Sequence, residues 1–102
     1  MKRFNDGDYI KYSVIRFGVK TDYIAIVECF DDGFVSEYCS AVIHSEDENL
    51  EGQIHYSDKY DYNEDYILFR KANDNEIKWL DKHLKEYDGM MFDKEKKELV
   101  EI

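Results

Sequence analysis

Between His44 and Tyr66 stand Glu46, Asp47, Glu48, Glu51, Asp58, Asp61, Glu64 and Asp65, opposed by one base, Lys59. Tyr56, Tyr60, Tyr62 and Tyr66 are interleaved with them. Carboxylates spread over a folded surface can stand in for the phosphates of a duplex. They would meet the Lys and Arg of a nucleic-acid-binding cleft and steer its approach electrostatically. Tyrosines would add rigid apolar contact area that charge alone lacks. The expected partner-binding residues are Glu46, Asp47, Glu48, Glu51, Asp58, Tyr60, Asp61, Tyr62, Glu64 and Asp65. The same composition also describes a solvated loop whose acids only keep the chain soluble. The sequence leaves both readings open.

Other constellations carry less. Asp61-x-Asn63-x-Asp65 begins like a calcium-binding loop, but Tyr66 replaces the required glycine and Ala72 the bidentate Glu. Glu28 and Glu37 flank the turn Asp31-Asp32-Gly33. A two-residue turn at Asp32-Gly33 would set them directly opposite each other, and paired carboxylates can divide acid and base roles. Like charges opposed in a sheet are destabilising, so a three-residue loop, which separates them, is the simpler expectation. Neither register lets Cys29 and Cys39 form a disulfide. They lie on opposite faces in the first and about 13 Å apart along the ladder in the second. Both are expected to be small buried hydrophobes. His44, His55 and His83 lack metal-ligand spacing with another His or Cys. Trp79, between Ile77 and Leu80, reads as a core-edge residue. The chain has neither a nucleophile elbow nor a phosphate-binding glycine loop. No catalytic residue, metal or cofactor is expected.

The 102 residues carry 24 acids and 14 bases, a net charge of −10. Such a chain is a poor direct ligand for nucleic acid or for anionic membranes. It has no apolar run long enough to span a bilayer and no apolar stretch after Met1, so a cytoplasmic protein is expected. The charge is uneven. Residues 1–43 are net −2, residues 44–66 net −7 and residues 67–102 net −1. A single domain over 1–102 is expected, with help from a homodimer or a partner given its small size and self-repulsion. Proline is absent, so Gly, Asn and Asp must make the turns.

The elements that would position these residues follow from local pattern. Asn5-Asp6-Gly7 turns into a strand from Tyr9 to Phe17. Tyr23–Phe30 and Phe34–Ile43, rich in β-branched and aromatic residues, form a hairpin. A solvated loop over 45–49 follows, then a short strand near Gln53–Tyr56 and a polar stretch over 57–65. Tyr66–Phe69 reads as a buried strand. Asn73 and Glu76 form a capping box. The stripe Ile77, Leu80, Leu84, Tyr87 predicts an amphipathic helix that Gly89 stops. Two short strands, Met90–Phe92 and Leu99–Ile102, flank a charged turn. The expected fold class is α+β. It is a small curved antiparallel sheet or open barrel of about five to six strands, with one C-terminal amphipathic helix packed on it.

Gly7-Asp8, the run Phe69-Arg70-Lys71-Ala72-Asn73-Asp74-Asn75-Glu76, Leu80 and Leu84, Gly89, Phe92-Asp93 and Lys97-Glu98-Leu99-Val100-Glu101-Ile102 resemble small uncharacterised proteins of bacteriophages and prophage-like elements. Asn73 stands where those chains favour Thr or Ser, and Met91 where an aromatic residue is common. The resemblance spans about a third of the chain and implies a viral or mobile-element origin. It carries no catalytic residues over. Combined with the acidic segment, it sets the functional expectation: a non-enzymatic DNA mimic that binds and inhibits a host nucleic-acid-binding defence protein or nuclease. Two alternatives stay open, a protein that sequesters a small ligand or nucleotide signal and a phage accessory or assembly protein.

Overall fold

The computed structural model describes residues 3–102. Its first three strands are β1 (Tyr9–Arg16), β2 (Val19–Asp31) and β3 (Phe34–Ser45), joined by two-residue turns at Phe17-Gly18 and Asp32-Gly33. Both residues of the first turn have positive φ, 52° for Phe17 and 76° for Gly18. Right-twisted hairpins favour that turn geometry. Three short strands follow, β4 (Ile54–Tyr56), β5 (Lys59–Asp61) and β6 (Tyr66–Lys71). The antiparallel order is β4-β3-β2-β1-β6, with β5 pairing the far end of β3. The helix α1 (Asp74–Asp88) and the hairpin of β7 (Met90–Asp93) and β8 (Glu98–Glu101) complete the chain. The fold is α+β, an open, unclosed antiparallel sheet with one helix packed on it.

Chain length forces the sheet to curve. In a flat sheet β5 and β6 would lie four strand spacings apart, about 19 Å. Only five residue steps join Asp61 to Tyr66, and they reach about 17 Å at full extension. The sheet curls instead, and the Tyr60 and Tyr66 rings, from strands on its two sides, stack with centroids 4.8 Å apart.

Both faces are buried. On the inner face Ile10, Tyr12, Val14, Ala25, Val27, Phe30, Val35 and Phe69 form one cluster, against which Tyr23, Tyr60, Tyr62 and Tyr66 pack. On the outer face Tyr9, Ile24, Ile26, Cys39 and Ala41 meet Leu80 and Leu84 of α1 and Phe92 of β7. The capping box forms as the sequence predicts, with Asn73 and Glu76 reciprocally bonded. Gly89 ends the helix in the left-handed conformation at φ 62°.

Several details depart from expectation. The β2–β3 turn takes the two-residue register, with Cys29 opposite Ser36 and Cys39 opposite Ile26. Glu28 and Glu37 are nevertheless not opposed. An irregularity in the pairing places Glu37 opposite Val27, buries it, and leaves Glu28 exposed. A bulge thus achieves the separation that was expected from a longer loop. Cys39 is buried, whereas Cys29 is only half-buried. The polar stretch 57–65 contains β5, which no local pattern marked. In β6 only Phe69 is buried, and Leu68 lies 67% exposed at φ 59°, where the pairing with β1 shifts. Tyr87, expected on the apolar stripe, is exposed and packs its ring against His83 instead.

Candidate functional site

The acids of the middle segment fall into groups set by the strands around them. Glu46, Asp47, Glu48 and Glu51 cluster at the turn leaving β3, where Glu48–Leu50 form a 3-10 turn. Three of these carboxylates also fasten backbone. Glu46 accepts the Lys20 N–H at 2.7 Å, Asp47 the Asn49 N–H at 3.1 Å and Glu51 the Ser45 N–H at 3.3 Å. Asp65 lies at the same end of the sheet. Its carbonyl accepts the Ile15 N–H, Ile15 pairs with Lys20, and the Lys20 carbonyl accepts the Glu46 N–H. Three strand spacings, about 14 Å, separate Asp65 from Glu46. Glu64 is exposed beside it. Asp61 pairs with Phe34 at the opposite end of β3, eleven residues along the strand from Ser45. Asp58 lies between, its carbonyl accepting the Glu37 N–H at 2.8 Å.

The tyrosines expected among these acids turn inward. Tyr60 and Tyr62 are half-buried, with Tyr62 stacked on Phe30 at 5.5 Å. Tyr56 is the exposed one, and its hydroxyl donates to Asp88.

Turning inward, the tyrosines wall a cleft. Tyr12, Tyr23, Tyr60 and Tyr66, with Ser40, His55 and Asp58, line a cavity of about 180 Å³ on the inner face. A second cavity of about 310 Å³ shares Val14, Arg16 and Tyr23 with it and runs past Thr21 to Leu50 and Asp47. Arg16 lies over the Tyr66 ring, its guanidinium carbon 5.2 Å from the centroid, and donates to the Tyr66 hydroxyl at 2.6 Å.

Behind the tyrosines lies Glu37, 2% exposed. Its Oε2 accepts the Tyr60 hydroxyl at 2.8 Å, while its Oε1 has no hydrogen-bond partner among the described residues. Burial pushes the carboxyl up to about 7; the Tyr60 and Tyr12 hydroxyls oppose the rise and the nearby Asp58 adds to it. Burial, reinforced by Glu37, also raises the Tyr12 and Tyr60 phenols far above their ordinary value. Sequence reasoning met Glu37 only as a partner for Glu28. No local signal marks it, since Ser36 beside it is polar too and the face Glu37 takes depends on the pairing of β2 with β3.

The remaining polar groups serve the outer face and the helix. Asp22 accepts the Ser13 hydroxyl and lies 3.8 Å from both Lys11 Nζ and His44 Nδ1. His83 is half-buried, stacked on Trp79 at 4.8 Å, with its Nε2 2.7 Å from the Gly52 carbonyl oxygen. Among the described residues, no group of three or more His, Cys, Asp or Glu is placed to hold a metal ion. No helix among them is long and apolar enough to cross a membrane. Comparison of the chain with protein-family models, curated proteins and solved structures yields no match.

Proposed function

We propose that this chain is a non-enzymatic phage or mobile-element protein. It binds and inhibits a basic, nucleic-acid-binding host protein, such as a defence nuclease, through the carboxylates of residues 44–66. One observation carries the reading: Glu46, Asp47, Glu48, Glu51, Asp58, Asp61 and Glu64 are all exposed, with Lys59 the only base in the segment. Hydrogen bonds from backbone N–H groups hold Glu46, Asp47 and Glu51 in place. Fixed carboxylates suit a duplex mimic, because less conformational freedom is lost on binding. The C-terminal resemblance to phage proteins supports the origin.

The test is affinity capture from a bacterial lysate on the immobilised protein, washed at low and high salt and eluted with duplex DNA. The control variant carries Glu48→Gln, Asp58→Asn, Asp61→Asn and Glu64→Gln, which spare the carboxylates that fasten backbone. The expected result is a nucleic-acid-binding protein that DNA displaces, that high salt weakens and that the variant fails to hold. A captured protein indifferent to DNA, salt and the four substitutions would overturn the reading. So would an empty column, which moves the weight to an accessory or assembly role.

A further inference from the structure

We propose that the tyrosine-lined cleft on the inner face binds a linear polyamine, and that Arg16 occupies its rim in the free protein. This cleft borrows Asp47 and Asp58 from the exposed acids proposed to meet a protein partner, and the other acids of that segment take no part in it.

The walls favour a cation. Tyrosine faces attract cations through the ring quadrupole, more strongly where water is excluded. The protein already makes such a contact with its own arginine, since the Arg16 guanidinium rests on Tyr66 and donates to its hydroxyl. Behind the rings, Glu37 offers a buried carboxyl with one oxygen unpartnered among the described residues. Glu37 itself does not line the cavity, but a cation in the cleft would favour the charged form of that carboxyl through the wall. The Tyr60 hydroxyl, which bonds the other oxygen, belongs to the cleft wall, so the carboxyl and the cavity are one hydrogen bond apart.

The shape favours an extended ligand. Asp58 lines one cavity and Asp47 the other, and the two cavities have Val14, Arg16 and Tyr23 as common walls. Ser40 lines the first cavity, and the chain runs five residues further, about 17 Å of strand, to Ser45 at the far end. A compact cation would satisfy one acidic end only. Ammonium groups separated by methylenes satisfy both, with the methylenes against Val14, Val19 and Leu50. A phosphate ligand would meet Asp47 and Asp58, with Arg16 as the only arginine or lysine among the described residues of the walls.

Cation binding would draw the proton from Glu37. The groups acting on that carboxyl are Tyr12 from β1, Tyr60 from β5, and Asp58, and it acts in turn on Tyr23 from β2 and Cys39 from β3. Both phenols stay protonated, so the proton leaves the Glu37 carboxyl for the buffer and the carboxylate remains behind Tyr60, one hydrogen bond from the cleft.

The test is calorimetry on the full chain near pH 7 with putrescine, spermidine and spermine, and with adenosine and guanosine monophosphates as anionic probes. Binding of the longer amines is expected, with a heat that varies with the buffer's ionisation enthalpy because a proton is released. Glu37→Gln should weaken the amine about tenfold or more and abolish proton release. Arg16→Ala should tighten it about two- to fivefold by removing the internal competitor. Arg16 is exposed, so this variant tests the idea even if Glu37→Gln fails to fold. Binding of the nucleotides with weakening by Arg16→Ala would reverse the sign of the site and overturn the proposal. Silence from every amine would also overturn it, without touching the acidic-surface reading.

Discussion

Burying the Glu37 carboxyl couples folding to a proton. Its native pKa of about 7 lies above the ordinary 4.5, so over that range the folded chain holds more proton than the unfolded chain. Stability from this group is therefore complete below about 4.5 and is lost as pH rises through about 7. The full effect is about 3 kcal/mol. Glu37→Gln removes the titration and leaves an acceptor for Tyr60. Its stability relative to wild type should improve by about 3 kcal/mol between pH 4.5 and pH 8, read by urea unfolding across that range. Parallel stability curves for the two proteins would show that water or a local opening already solvates the carboxyl. Nothing local in the sequence forecast this residue's role, because alternation assigns faces only while the register is unbroken. The irregular pairing at Val27 and Glu37 reassigns them, and such a bulge depends on both strands at once.

At the level of elements, legibility tracked sequence distance. The helix was readable because its start, stripe and stop lie within seventeen residues, from Asn73 to Gly89. The β2–β3 hairpin was readable because its turn and alternating strands are contiguous. The three-residue β5 was not, since it exists only by pairing with Phe34–Ser36. Two variants separate local from tertiary stabilisation of the helix. Asn73→Ala removes the acceptor for the Glu76 N–H and should cost about 1 kcal/mol. Leu84→Ala opens a cavity in the outer core, where Leu84 is fully buried, and should cost about 2–5 kcal/mol. Denaturant midpoints for both should preserve that ranking. Equal losses would mean that the cap, rather than packing on the sheet, decides whether the helix stays docked.

For the molecule as a whole, the acids of residues 44–66 were readable as a charge anomaly, but their distribution was not. Strand pairing places Asp65 toward the Glu46 end of the sheet and Asp61 beside Phe34 at the start of β3. That distribution makes salt a global variable. The molecule measures 37 × 35 × 22 Å. At about 10 mM ionic strength the Debye length is about 30 Å, so carboxylates across the whole protein repel one another. At about 150 mM it is about 8 Å, and only neighbours within a group interact. The unfolded chain holds its charges further apart, so low salt penalises the folded state more. The thermal midpoint should therefore rise between these two conditions. The variant with Glu48→Gln, Asp58→Asn, Asp61→Asn and Glu64→Gln should show a smaller rise, because it removes four of the net ten negative charges from the most acidic segment. Scans at both ionic strengths compare the slopes directly. An unchanged slope in the variant would mean that these acids are already neutralised by their surroundings in the folded protein, and an acidic surface without an effective field cannot steer a basic partner.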